Sequence, residues 1–177
     1  MSARRSLLLL LYFAFESFEK MDIEVEDNVW IAAGDGSLER TFAFIGAGPV
    51  DVKDENGYTP LMAASAYGKV DLVRELLKRG ANPNLKDTDG NTAVHHCDYP
   101  ECLRVLIDGG GKISIRNNDG QTPLDAKQEE LAEAEEDFSD EEELDEGEIP
   151  TSHRLKQLVS ALVEASVEEE KRKRTKG

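Results

Sequence analysis

The chain has 177 residues, enough for one domain with length left for tails, and its 6% aromatic content suits a helical array and argues against a β-sandwich or barrel. The formal net charge is -16, and 13 of the acids stand between residues 129 and 148 with no base among them. A nucleic-acid ligand is therefore disfavoured, because such binding neutralises phosphates with Lys and Arg; a basic protein is the electrostatically favoured partner.

Residues 1–20 place Arg4 and Arg5 ahead of an apolar run over 7–15, the order of a secretory signal. Small residues two apart are missing after that run, and nine apolar residues are too few to span a bilayer, so no stable membrane insertion is expected. Two readings follow. In one, the segment is a disordered extension or the artefact of a start upstream of Met21; in the other, it is a working signal.

From Met21 the chain repeats itself. The run Gly57, Tyr58, Thr59, Pro60, Leu61 returns as Gly90, Asn91, Thr92, Ala93, Val94 and as Gly120, Gln121, Thr122, Pro123, Leu124, at intervals of 33 and 30 residues. The first copy, worn at its head, has Asp27 and Asn28 in place of Thr-Pro, a helix holding Val29 to Ala33, an inter-helix turn at Gly36 and a stop at Gly48. In the second, Thr59 is placed to cap a helix that Pro60 opens, and Gly68 ends it. Val70, Leu72, Val73, Leu76 and Leu77 then form the apolar stripe of a second helix, stopped by Gly80 after Lys78 and Arg79. Asn82, Pro83, Asn84 and residues 87–90 supply the chemistry of a projecting turn.

The third copy lacks three residues between Cys97 and Leu103, which predicts a short turn at Pro100 and a second helix over 101–107, ended by Gly109, Gly110 and Gly111. The fourth opens with Thr122, Pro123, Leu124, Asp125 and Ala126 and then enters the acidic run. Unopposed like charge with few apolar residues cannot offset ordering entropy, so the run is expected to be disordered. Leu155, Leu158, Val159, Leu162 and Val163 fall on one helix face after Pro150, with Thr151 and Ser152 as capping candidates, and are expected to close the stack. The domain plan is therefore an extension (1–20), repeats (21–128), a disordered acidic insertion (129–150), a capping helix (151–167) and a basic tail (168–177).

These heads, the glycine pairs Gly36/Gly48 and Gly68/Gly80, and the turn glycines Gly57, Gly90 and Gly120 resemble the ankyrin-repeat family over residues 22–126, and again over 151–165. The resemblance implies an all-α solenoid of about four helix-turn-helix repeats with projecting turn tips, a scaffold used to hold protein partners. It directs attention to Lys53, Glu55, Asn56 and Tyr58; to Lys86, Thr88, Asp89 and Asn91; and to Arg116, Asn118, Asp119 and Gln121 on the tips. On the helices it points to Asp35, Ala66, Tyr67 and Tyr99. Tyr58, Tyr67 and Tyr99 have the profile of interface anchors, or else pack between adjacent tips.

Within the family, the shortened third repeat (Val94, His95, His96, Cys97, Pro100, Glu101, Cys102) and the acidic C-terminal section resemble small fungal chaperones that guard a newly made small-subunit ribosomal protein. That likeness implies a basic client for Glu135, Glu136, Asp137, Asp140, Glu141, Glu142 and Glu143. The alternative is an ankyrin adaptor in signalling or transcription, whose acidic section only solubilises; a secreted effector is a third reading, resting on residues 1–20.

No enzymatic constellation is visible, and no metal or cofactor is expected. Neighbours such as His95, His96 and Cys97 point in different directions on a helix, and the family places a turn-bonded histidine at position 95 and a small buried residue at 97. The glycines at 109–111 follow a helix instead of opening one, which excludes a phosphate loop. Cys97 and Cys102 form neither a zinc pattern nor a disulfide framework, in keeping with a reducing cytoplasmic or nuclear setting. Trp30 is expected to pack in the N-terminal cap. Ser139, ahead of Asp140, Glu141, Glu142 and Glu143, suits an acid-directed kinase or is an unmodified part of a solubilising loop. Lys171, Arg172, Lys173, Arg174 and Lys176 fit nuclear import, a return onto the acidic loop, or an inert tail. A monomer is expected.

Overall fold

A computed structural model describes residues 28–136 and 151–175. Helices pair repeat by repeat: α1 (Val29–Asp35) with α2 (Leu38–Ile45), and α3 (Pro60–Ala66) with α4 (Val70–Lys78). The third repeat is represented by α5 (Pro100–Asp108), and α6 (Pro123–Glu136) and α7 (Thr151–Arg174) end the row. The described residues contain no strand.

Local chemistry sets the helix starts. The Asn28 side chain accepts hydrogen bonds from the backbone N–H groups of Trp30 and Ile31 at 3.0 and 2.9 Å. Thr59 does the same for Met62 at 3.3 Å, with Pro60 at the first helical position, where its missing N–H costs nothing. At the head of α6, the Thr122 N–H donates to the Asp125 carboxylate at 2.9 Å while the Asp125 N–H donates back to the Thr122 hydroxyl at 3.3 Å. One expected stop is displaced. Gly46, with φ 52°, ends α2, two residues before the Gly48 that the spacing pairs with Gly80.

Repeat three has lost its first helix. Residues 93–96 form only a turn, and Cys97 N–H reaches back three residues to Val94 at 3.3 Å. With three residues fewer before Pro100, which cannot continue a helix, there is no chain left for a second turn. The apolar positions survive the loss: Ala93, Val94 and Cys97 stay buried and join Leu61, Leu72, Leu76, Leu103, Leu106, Leu158 and Leu162 in one continuous core.

The stack closes at α7, which packs on both α5 and α6. Leu155, Leu158 and Leu162 are buried there, a contribution of roughly 2 kcal/mol each relative to exposure. Val163, expected on the same face, is 42% exposed, because its direction on the wheel falls beyond the contact with α5 and α6.

Two boundaries need correction. The disordered insertion was expected from residue 129, yet α6 runs on through Glu136, so residues 129–136 are helical. Pairing offsets their like charge: Glu130 bonds Lys127 at 2.7 Å, Glu135 bonds Lys156 of α7 at 2.8 Å, and Glu129 accepts from Gln121. The capping helix likewise continues to Arg174, through most of the expected basic tail. Glu168–Arg172 and Glu169–Lys173 pairs at 3.6 and 2.7 Å, with bases at a helix C-terminus, favour that extension. Residues 1–27, 137–150 and 176–177 lie outside the described residues, and with them the signal-like segment, Asp137, Ser139, Asp140, Glu141, Glu142 and Glu143.

Candidate partner-binding surface

The three tips share one design. Asp54, Asp87 and Asn117 each accept two backbone N–H bonds through the side chain, from Asn56 and Tyr58, from Asp89 and Asn91, and from Asp119 and Gln121, at 2.7 to 3.1 Å. Each also exchanges backbone bonds across its turn, for example Asp87 N–H to Asn91 and Gly90 N–H to Asp87. The sequence carries this signal as Asp or Asn three residues before each turn glycine; those residues were not among the expected site residues.

Successive tips are then tied together. Lys53 donates to the Lys86 carbonyl at 2.7 Å, and Lys86 to the Arg116 carbonyl at 2.7 Å. Thr88 N–H donates to the Asn56 carbonyl, and Asn118 N–H to the Asp89 carbonyl, both at 2.9 Å. The Asn118 amide adds a bond to the Thr88 carbonyl at 2.8 Å, and the Asn117 amide donates to Asn91 Oδ1 at 3.1 Å. Glu55, Asn56, Asp89, Asn118 and Asp119 are exposed at the ends of this ladder, whereas Asn91 is partly buried in it.

Tyr58, Tyr67 and Tyr99 divide. Tyr58 is half-buried: its carbonyl accepts from the Trp30 indole at 2.8 Å and its ring meets His96 edge-on, with centroids 4.9 Å apart. Burial, and then the nearby Tyr67, Asp98, Asp87 and Asp54, push its hydroxyl up to about 12, so it stays protonated. Tyr99 is covered by the Arg154 guanidinium, 4.8 Å from the ring centroid. Tyr67 alone of the three is open, at 63% exposure. Tyr67 and Tyr99 stand at the inter-helix turns, with Tyr67 close enough to Tyr58 to bear on its hydroxyl. Asp35 sits on the turn side too, exposed and paired with Arg40 at 3.0 Å.

The His-His-Cys run is structural. His95 Nδ1 accepts from Thr92 N–H at 3.2 Å and faces its hydroxyl at 2.9 Å, which leaves Nε2 to donate to the Gln121 carbonyl at 3.3 Å. That arrangement requires neutral imidazole, and burial holds the His95 pKa below its ordinary value against the opposing pull of the Gln121 carbonyl. His96 bonds Asp87 at 2.7 Å. Cys97 donates to the Tyr99 carbonyl at 3.3 Å, and burial pushes its thiol up to about 12 and that of Cys102 up to about 11, so neither is a thiolate at neutral pH. Among the described residues, no group of His, Cys, Asp and Glu could hold a metal ion, and no helix is long and apolar enough to cross a membrane.

Lys127 joins repeat four to repeat three. It is buried, and its amine contacts Asp98 at 2.5 Å and Glu130 at 2.7 Å. Burial works against its charge, but the bonds to Asp98 and Glu130 outweigh that and hold its pKa above the ordinary lysine value.

The pattern of ankyrin repeats, in three copies, matches residues 29–119. An ankyrin repeat-containing protein of Schizosaccharomyces pombe is 39% identical over 95 residues, 52% of this chain and 46% of that protein. Human SH3 and multiple ankyrin repeat domains protein 2 is 39% identical over 75 residues, 41% of this chain and 4% of that protein. The mouse B-cell lymphoma 3 protein homolog is 37% identical over 87 residues, 45% of this chain and 19% of its own length. This chain thus spans less than half the length of each of these relatives. The repeated tips, stacked helix pairs and matched pattern together make this chain a member of the ankyrin-repeat family, a scaffold for binding proteins.

Proposed function

We propose that the chain is a non-enzymatic escort for a basic protein client, such as a small-subunit ribosomal protein, acting as a monomer in the cytoplasm or nucleus. The observation that carries this reading is the charge: 13 acids and no base over residues 129–148, beginning on the helix that opens the last repeat. Such a segment competes with RNA for the client's lysines and arginines while the stack supplies shape. Because residues 129–136 belong to α6, the informative deletion is 137–148 alone.

Affinity purification of the full chain with mass spectrometry is expected to return basic proteins, ribosomal proteins among them. Their recovery should fall on deletion of 137–148 at low salt, where exposed charges act beyond about 10 Å. Recovery of regulatory enzymes and no basic protein would refute the escort reading and favour an adaptor. Similarity to the human and mouse relatives rests on the repeats and is what keeps that second reading open.

A further inference from the structure

Repeat two is packed between repeats one and three, but no repeat precedes α1 among the described residues. A terminal repeat whose outer side is polar needs no cover. This one is apolar there. Phe42 lies beneath the Arg79 guanidinium, 3.5 Å from its ring centroid, and so faces repeat two. Phe44, two residues on, points about 200° around α2, away from that contact. There it lines a cleft of about 250 Å³ with Val29, Ile45, Pro49 and Val52. Asn28 is the one polar residue of the described lining, and its side chain is already used in capping α1. The cleft therefore suits apolar side chains, and it is smaller than the roughly 300 to 1,000 Å³ of a small-molecule site.

The chain carries a matching segment at the same place. Asn28 borders the cleft and is where residues 1–27 join the stack. Within them Leu11, Ala14, Phe15 and Phe18 recur at the spacing of one helix face, with Glu16, Ser17 and Lys20 off it. Residues 19–27 separate Phe18 from Asn28 and, extended, reach about 30 Å, well beyond the ~10 Å width of one helix. A segment tethered this closely has an effective concentration on the order of millimolar, which favours it over a second copy of the chain.

We propose that residues 11–18 fold back over this cleft as the outer cover of repeat one, with Phe15 and Phe18 against Phe44 and Val52. The segment then does for repeat one what repeat three does for repeat two, taking an apolar side out of water. The inference is independent of the basic-client reading, and it gives the segment a structural role that neither a secretion signal nor an inert extension has.

The test uses the full chain with photo-reactive benzoylphenylalanine replacing Phe15, irradiated at about 1 and 50 μM and mapped by mass spectrometry. Cross-links to the peptide carrying residues 44–52 are expected within one chain, in a yield that is the same at both concentrations. Separately, Phe15→Ser combined with Phe18→Ser should raise hydrogen exchange in α1 and α2 about tenfold and change α5 by less than about twofold. Both positions precede the stack, so its own packing is left intact. Val163→Ser, at a 42% exposed site on the closing helix, should leave α1 and α2 unchanged. Cross-links between chains that grow with concentration would assign the cleft to a second copy and overturn the proposal. Cross-links that miss residues 44–52, or unchanged exchange in α1 and α2 of the double variant, overturn it as well.

Discussion

Replacing Gly68 by alanine tests the stacked-turn geometry directly. Gly68 has φ 67°, where a side chain costs about 1 kcal/mol in backbone strain. The new Cβ would also stand 2.6, 2.7 and 2.9 Å from Cδ2, Cγ and Cε2 of Tyr99, a ring held under Arg154 and therefore slow to yield. Overpacking of that kind costs about 2 kcal/mol more, for a total of about 3. Gly80 provides the control, since its φ is 91° but nothing lies within 4 Å of its added Cβ; Gly80→Ala should cost only about 1 kcal/mol. In a Tyr99→Ala background the cost of Gly68→Ala should fall to about the Gly80→Ala value, because the obstructing ring is gone. Urea denaturation followed by far-UV circular dichroism and by Trp30 fluorescence measures all four variants. Equal costs for Gly68→Ala and Gly80→Ala, or no relief from Tyr99→Ala, would refute the argument that the turns stack ring on glycine.

Other outcomes follow from the same contacts. Because His95 is buried neutral with a lowered pKa, the unfolded chain binds its proton more readily; stability is complete above pH 6.5 and declines as pH falls through 6.5 toward the folded value. The decline is at most about 1.4 kcal/mol per pH unit for one group, and denaturation of His95→Gln at pH 7.5 and 5.5 should show a flatter slope. Lys127→Met should cost about 1 to 2 kcal/mol, less than a fully buried pair would, because Asp98 and Glu130 keep 34% and 46% exposure and rehydrate; hydrogen exchange should rise in α6 first. Leu158→Ala should cost about 3 kcal/mol by leaving a cavity between α7 and α5, read as a lower urea midpoint with raised exchange in α7 and little change in α1.

Much of this architecture is written along the chain, because its determinants are local. Thr59 before Pro60, the recurring turn glycines and the apolar stripe from Val70 to Leu77 each act within one repeat, and the interval between copies registers the repeats. The delayed closing helix was legible for the same reason, through Leu155, Leu158 and Leu162. What proximity in space decides was not legible. The net charge of residues 129–136 argued for disorder, but Lys156 reaches α6 from α7 to pair with Glu135, and Lys127, one turn ahead in α6 and anchored on Asp98 of repeat three, pairs with Glu130. Three tyrosines looked equivalent as anchors; His96 and Arg154, 38 and 55 residues away from the rings they meet, cover Tyr58 and Tyr99 and leave Tyr67 exposed. The sequence by itself determined a repeat scaffold and the sign of its charge, since both depend on composition and short-range spacing. Only the tertiary structure decided which polar and aromatic side chains remain exposed, because that depends on which of them the stacking of repeats consumes.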